Sequence, residues 1–165
     1  MSPIVSEQYQ FVIGVDTHAS THTLAVLVAA TGTVLHKETF PTSSPGLGRA
    51  LGWIARRIGE ASVMVVVEGT GSYGAILTER LELAGHRVAE AASMPAGDRR
   101  GIGKSDALDA ARIARAVLGL HDGELRTPER YPLETTPPAA PGSHSGCSSW
   151  PATKRPKNAP APSTS

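Results

Sequence analysis

The chain has 165 residues, 19% of them charged, and a formal net charge of +1, which allows one domain with a real core and excludes a module that binds nucleic acid on net charge alone. A single cysteine, Cys147, excludes an internal disulfide and a cysteine-built zinc site and fits a reducing compartment. The opening MSPIVSEQYQ is not a basic start followed by an apolar run, and no stretch is long enough to cross a bilayer. The cytoplasm is therefore the expected location, with no membrane partner.

Phe11-Val-Ile-Gly-Val-Asp16 opens the folded part as an apolar run without polar alternation, the pattern of a strand buried on both faces. A polar break of turn length follows, with His18 and His22 read as surface histidines, and residues 23–29 form the next strand. After a turn at residues 30–32, residues 33–40 alternate as an edge strand does. Pro45 then opens a helix with Leu47, Leu51, Ile54 and Ile58 on one stripe and Arg49, Arg56 and Arg57 off it.

Ser62-Val-Met-Val-Val-Val-Glu68 is the second strongly buried strand, and it too ends in a carboxylate. A glycine-rich turn spans residues 69–74, and a helix from about Ser72, with Tyr73 packed at its start, ends at Gly85. Residues 86–90 form a short strand, residues 92–103 a loop, and a last helix runs from near Ser105 to about Leu118. Arg99, Arg100 and Lys104 lead into that helix as candidates for phosphate contact, or as plain solvated charge.

From Thr127 the composition changes. Nine of the 13 prolines lie in residues 128–165, and Leu133 is the one Leu, Ile, Val, Phe or Met in residues 127–165. Such a segment has little apolar surface to offset its ordering entropy, so residues 127–165 read as a disordered proline-rich tail and residues 9–126 as the domain. Arg130, Lys154, Arg155 and Lys157 against Glu129 and Glu134 give the tail +2 and leave the body at −1.

The order β-β-β-α-β-α-β-α calls for a mixed sheet with helices packed on it, and the right-handed crossover rule places the fourth strand beside the first. That α/β arrangement is the ribonuclease H-like fold, and it makes neighbours of Asp16 and Glu68. On the last helix, Asp106 and Asp109 project within about 60° of each other and begin the stripe of Ile113, Val117 and Leu120. Two acids there are equally the chemistry of a helix start, with Asp106 as cap and Asp109 in the first turn. Gathered together, Asp16, Glu68, Asp106 and Asp109 would repel one another by several kcal/mol without cations. Hard oxygen donors of this kind suit Mg²⁺ or Mn²⁺ and phosphodiester chemistry.

The stretches IGVDTH, VVVEGTGSYG and GKSDALDAARIA, in this order and spacing, resemble the amino-terminal half of the DEDD transposases, RuvC-like insertion-sequence enzymes, over about residues 11–126. The resemblance implies that Asp16, Glu68, Asp106 and Asp109 correspond to the family's acidic tetrad, which holds divalent metal for DNA cleavage and strand transfer. It also implies DNA as partner, a homo-oligomer, for some members a structured guide RNA, and a second domain bearing a serine needed for recombination. After Pro128 the text departs from the family pattern, as a shifted reading frame or an early stop would produce, so the expectation is a copy that keeps the metal site without the second domain.

Two readings compete. Gly69-x-Gly71-x-x-Gly74 after a strand, with Glu90 ending the next one, resembles a dinucleotide fingerprint, although Glu68 would then face a pyrophosphate. The chain could instead be a non-catalytic DNA-binding or dimerisation fragment.

Overall fold

In a computed structural model, which describes residues 2–92 and 106–130 and of Asp106 and Ala107 the backbone alone, the apolar runs assemble into one five-stranded sheet of order β3-β2-β1-β4-β5. The strands are β1 (Phe11–Thr17), β2 (Thr21–Val28), β3 (Val34–Pro41), β4 (Val63–Val67) and β5 (Arg87–Glu90). β2 is antiparallel to both its neighbours, whereas β4 runs parallel to β1 and β5 parallel to β4. This is the ribonuclease H-like arrangement expected from the element order. Arg99, Arg100 and Lys104, the loop that carries them and the proline-rich segment from residue 131 lie outside the described residues.

Because β1 and β4 are covered on both sides, their successive residues divide between two cores. Ile13, Val15, Val63, Val65 and Val67 pack with Leu47, Trp53, Ile54 and Ile58 of helix α2 (Ser44–Ile58) and with Leu77 and Leu81 of helix α3 (Ala75–Leu83). Val12, Met64 and Val66 pack on the opposite face against Ala110, Ala111, Ile113 and Ala114 of helix α4 (Asp106–Arg115) and against Val5, which belongs to the one-turn helix α1 (Val5–Gln8). Ser43 caps α2, its Oγ accepting from the Gly46 amide at 3.3 Å, and Leu51 of the predicted stripe is half-buried while Trp53 is buried.

The chain differs from expectation at several joints. β2 begins at Thr21, so His22 is a buried strand residue and not a surface-turn one, because residues 21 and 22 continue the ladder with β1 and β3. α3 starts at Ala75 and not at Ser72, since the turn before it keeps its own hydrogen bonds, and Tyr73 is exposed, not packed. Val5 and Ser6 donate to the carbonyls of Leu120 and Leu118, tying the start of the chain to the segment after α4. Packing also continues past Arg126: Pro128 is buried, and the Glu129 amide donates to Thr70 Oγ1 at 2.9 Å.

α4 lies so close to β1 that a Cβ at Gly14 would overlap the Ala110 carbonyl oxygen and stand 2.8 Å from the Ala114 nitrogen. At the other end of the helix, Arg115 Nε donates to the Gly32 carbonyl at 3.1 Å, beside Val28, which pairs with Phe11. The helix therefore runs against β1, its amino end towards Asp16. A Gly14→Ala change should destabilise the domain by about 2–3 kcal/mol or more through overpacking, whereas Gly48→Ala on α2, with open space around it, should be neutral or stabilising by up to about 1 kcal/mol. Urea unfolding of the two variants checks the contrast.

Candidate metal centre

Asp16 is the sixth residue of β1 and only 5% exposed, and Glu68 follows β4 directly and is half-buried. The two strands are in register, Val15 opposite Val67, and the Glu68 amide donates to the Val15 carbonyl at 3.1 Å. Thr17 Oγ1 donates to the Glu68 carbonyl at 2.7 Å. The two carboxylates expected from the sequence thus leave the same end of adjacent parallel strands, fifty-two residues apart in the chain.

Gly14 fixes where α4 meets them. Two residues of strand and four of helix each advance about 6 Å, so the step from Gly14 to Asp16 corresponds to about one turn from the Ala110–Ala114 contact towards the amino end of α4. That turn carries the positive end of the helix dipole, which favours anionic groups nearby. Asp109 is about half exposed, and Arg112 Nη1 stands 3.7 Å from its Oδ1. The side chain of Asp106 lies outside the described residues, and among the described ones no three His, Cys, Asp or Glu side chains gather closely enough to hold a metal ion. The structure thus places Asp16 and Glu68 at the same end of neighbouring strands and packs the helix that carries Asp106 and Asp109 on β1, but it does not gather the described side chains of Asp16, Glu68 and Asp109 into one cation-holding group. As a donor set, strand-end and helix-start carboxylates suit a hard divalent cation, which prefers oxygen ligands.

His18, exposed and read from the sequence as a surface-turn residue, has Nε2 3.1 Å from Asp16 Oδ2. His22, on β2 opposite Thr17, is 2% exposed, and its Nδ1 has no hydrogen-bond partner among the described residues.

The amides that open the glycine-rich turn are taken up within the chain. Glu90, at the end of β5, accepts from the Gly69 amide through Oε1 at 3.1 Å and from the Thr70 amide through Oε2 at 3.0 Å, and the Thr70 hydroxyl also donates to Oε2. A Cβ at Gly71 would overlap the Glu129 carboxylate. Two of the donors that would face a pyrophosphate are filled by the chain's own acid, and that carboxylate stands where the anion would, which argues against the dinucleotide reading. Sequence reasoning missed this use of Glu90, although β5 ending in a carboxylate beside a Gly-x-Gly turn was its visible sign.

The sequence matches a family model described as transposase, the DEDD type of IS110, over residues 13–134. The chain belongs to this transposase family. No curated protein matches the sequence. Among solved structures, the transposase domain is similar to RuvC of Thermus thermophilus in complex with Holliday junction substrate, at 18% identity and a TM-score of 0.48, covering 64% of this chain and 90% of that one. It is also similar to a second structure of Thermus thermophilus RuvC, at 16% identity and a TM-score of 0.45, covering 63% of this chain and 90% of that one. A third similarity is to the large terminase nuclease from thermophilic phage G20c with bound zinc, at 18% identity and a TM-score of 0.41, covering 67% of this chain and 63% of that one.

Burial holds the His22 imidazole below its ordinary pKa of 6.5, and burial does the same to His86. As pH falls past about 6.5, the unfolded chain takes up protons before the folded one does, so stability should fall with falling pH in that window. Urea midpoints at two pH values on either side of it measure the loss, and His22→Leu should flatten part of the dependence.

Proposed function

We propose that this transposase domain carries the metal-dependent DNA cleavage and strand-transfer site of its family, with Asp16, Glu68, Asp106 and Asp109 as the residues that hold Mg²⁺ or Mn²⁺. The observation that supports the reading is that two acids leave the same end of adjacent parallel strands while the helix bearing the other two is pressed onto β1 with its amino end directed towards Asp16. When bound, a pair of divalent ions supplies Lewis acidity to both the attacking and the leaving oxygen of a phosphodiester.

The chain's own residues do the rest. The β1–β4 ladder holds Asp16 and Glu68 side by side, and α4 adds its two acids from the opposite element. Arg99, Arg100 and Lys104, just before α4 in the sequence, supply cations for the DNA backbone in this reading. Self-association and a structured guide RNA, which the family resemblance implies, belong to the same reading. Among the described residues no helix is long and apolar enough to cross a membrane, and the reading places the domain in the cytoplasm with its DNA.

Titrating Mn²⁺ while following the melting temperature tests it. At a free ion concentration of about 100 times Kd the ion should stabilise the fold by about 2.7 kcal/mol. Asp16→Asn and Asp106→Asn should lose that increment while keeping, or slightly raising, the metal-free melting temperature, because each removes one of several like charges. A wild-type melting temperature indifferent to Mn²⁺ would return the non-catalytic reading, a DNA-binding or dimerisation fragment.

A further inference from the structure

We infer that Glu90 is a positioning residue for Glu68, an inference that rests on the reading of Glu68 as a metal ligand. Glu90 holds still the two residues that follow Glu68. Its two carboxylate oxygens accept from the Gly69 amide at 3.1 Å and the Thr70 amide at 3.0 Å, and Thr70 Oγ1 adds a third donor. Thr70 is 1% exposed, so these bonds are made away from water, where charge-assisted hydrogen bonds are strongest.

Glu68 is thereby gripped from both sides. On its amino side β4 is laddered to β1, and its own amide and carbonyl are taken by the Val15 carbonyl and the Thr17 hydroxyl. On its carboxyl side Gly69 turns through a φ of +71°, a conformation in which a larger residue would be strained and in which its Cβ would stand 2.8 Å from Ser72 Oγ. A glycine in that region is the place where the chain could pivot, and the Glu90 carboxylate is what closes it. Because both its oxygens face donors, Glu90 acts through the backbone and does not join the ligand set.

The clamp is itself braced by the end of the domain. The Glu90 amide donates to the Arg126 carbonyl at 2.9 Å, and the Glu129 amide donates to Thr70 Oγ1, which passes its own hydrogen to Glu90. Residues 126–129 thus hold Glu90 and Thr70 together from outside the sheet.

The test uses the full chain, Mn²⁺ alone as the probe, and two readouts: Mn²⁺ affinity by calorimetric titration, and amide hydrogen exchange at Gly69 and Thr70. Glu90→Gln should weaken Mn²⁺ binding about tenfold, as loss of groups that orient metal ligands does, and should speed exchange at those two amides. Thr70→Ser, which keeps the hydroxyl, should match the wild type in both, and Thr70→Val should fall between. If Glu68→Gln weakens binding while Glu90→Gln, with its amides exchanging faster, binds Mn²⁺ as the wild type does, Glu90 does not position Glu68 and the inference is overturned alone. If Glu68→Gln binds as the wild type does, the metal-ligand reading fails and the inference goes with it. Should Glu90→Gln not fold, Thr70→Val decides: faster exchange with weaker binding supports the clamp, and faster exchange with unchanged binding overturns it.

Discussion

The close approach of α4 to β1 at Gly14 is the constraint on which the rest depends. Only a residue without a side chain lets the Ala110 carbonyl and the Ala114 nitrogen stand so near the strand. The helix face is correspondingly small, with Ala110, Ala111 and Ala114 all buried against the sheet. A bulkier interface would lift α4 away and carry Asp106 and Asp109 with it. The alanines give up apolar area that a leucine would have buried, and what that concession secures is the height of the helix start above the strand ends. The proposed site, drawn from separate elements, would need such control, because a displacement of about an ångström is enough to spoil a coordinated or reacting geometry.

Much of this was legible in the sequence, and for identifiable reasons. β1 and β4 stood out because a strand covered on both faces shows a continuous apolar run, and each run stopped at an acid. The crossover rule then forced those two strands together, so the pairing of Asp16 with Glu68 followed without any knowledge of contacts. The start of β2 was hidden because Thr21-His-Thr23 is as polar as a turn; only the ladder to Thr17 on one side and Phe40 on the other makes it strand. The start of α3 was misplaced because Ser72 and Tyr73 read as helix, whereas the turn closes on itself: the Ser72 and Gly74 amides both donate to the Gly69 carbonyl. The bridges of Ile4 to His121 and of Glu90 to Arg126 join distant stretches, and neither has a local pattern to announce it.

The family match and the topology speak to different parts of the question. The match over residues 13–134 assigns the chain to the transposases, and it runs past the change in composition at residue 127, in keeping with the packed Pro128 and the bond from Glu129 to Thr70. The topology says why Asp16 and Glu68, distant in the chain, leave the same end of adjacent strands, with the helix that carries Asp106 and Asp109 packed on β1. It also ranks them. Asp16 is fixed within a paired strand, Glu68 is held one residue beyond one, and Asp106 and Asp109 depend on the seating of a whole helix.

Three strands of this sheet, β1, β4 and β5, carry a carboxylate at the same end, and the structure treats the third unlike the first two. Glu90 could have added another negative charge to an already acidic edge, which would raise the cost of keeping the others ionised. Its charge is instead absorbed by two amides and a hydroxyl on the neighbouring turn. The same bonds that quiet Glu90 also stiffen the segment carrying Glu68, so one carboxylate is withdrawn from the acidic edge in a way that fixes another on it. The Gly-x-Gly-x-x-Gly spelling that resembled a nucleotide site has local packing reasons instead: the glycine at position 69 supplies the turn, the one at 71 leaves room for Glu129, and the one at 74 admits the Val67 side chain.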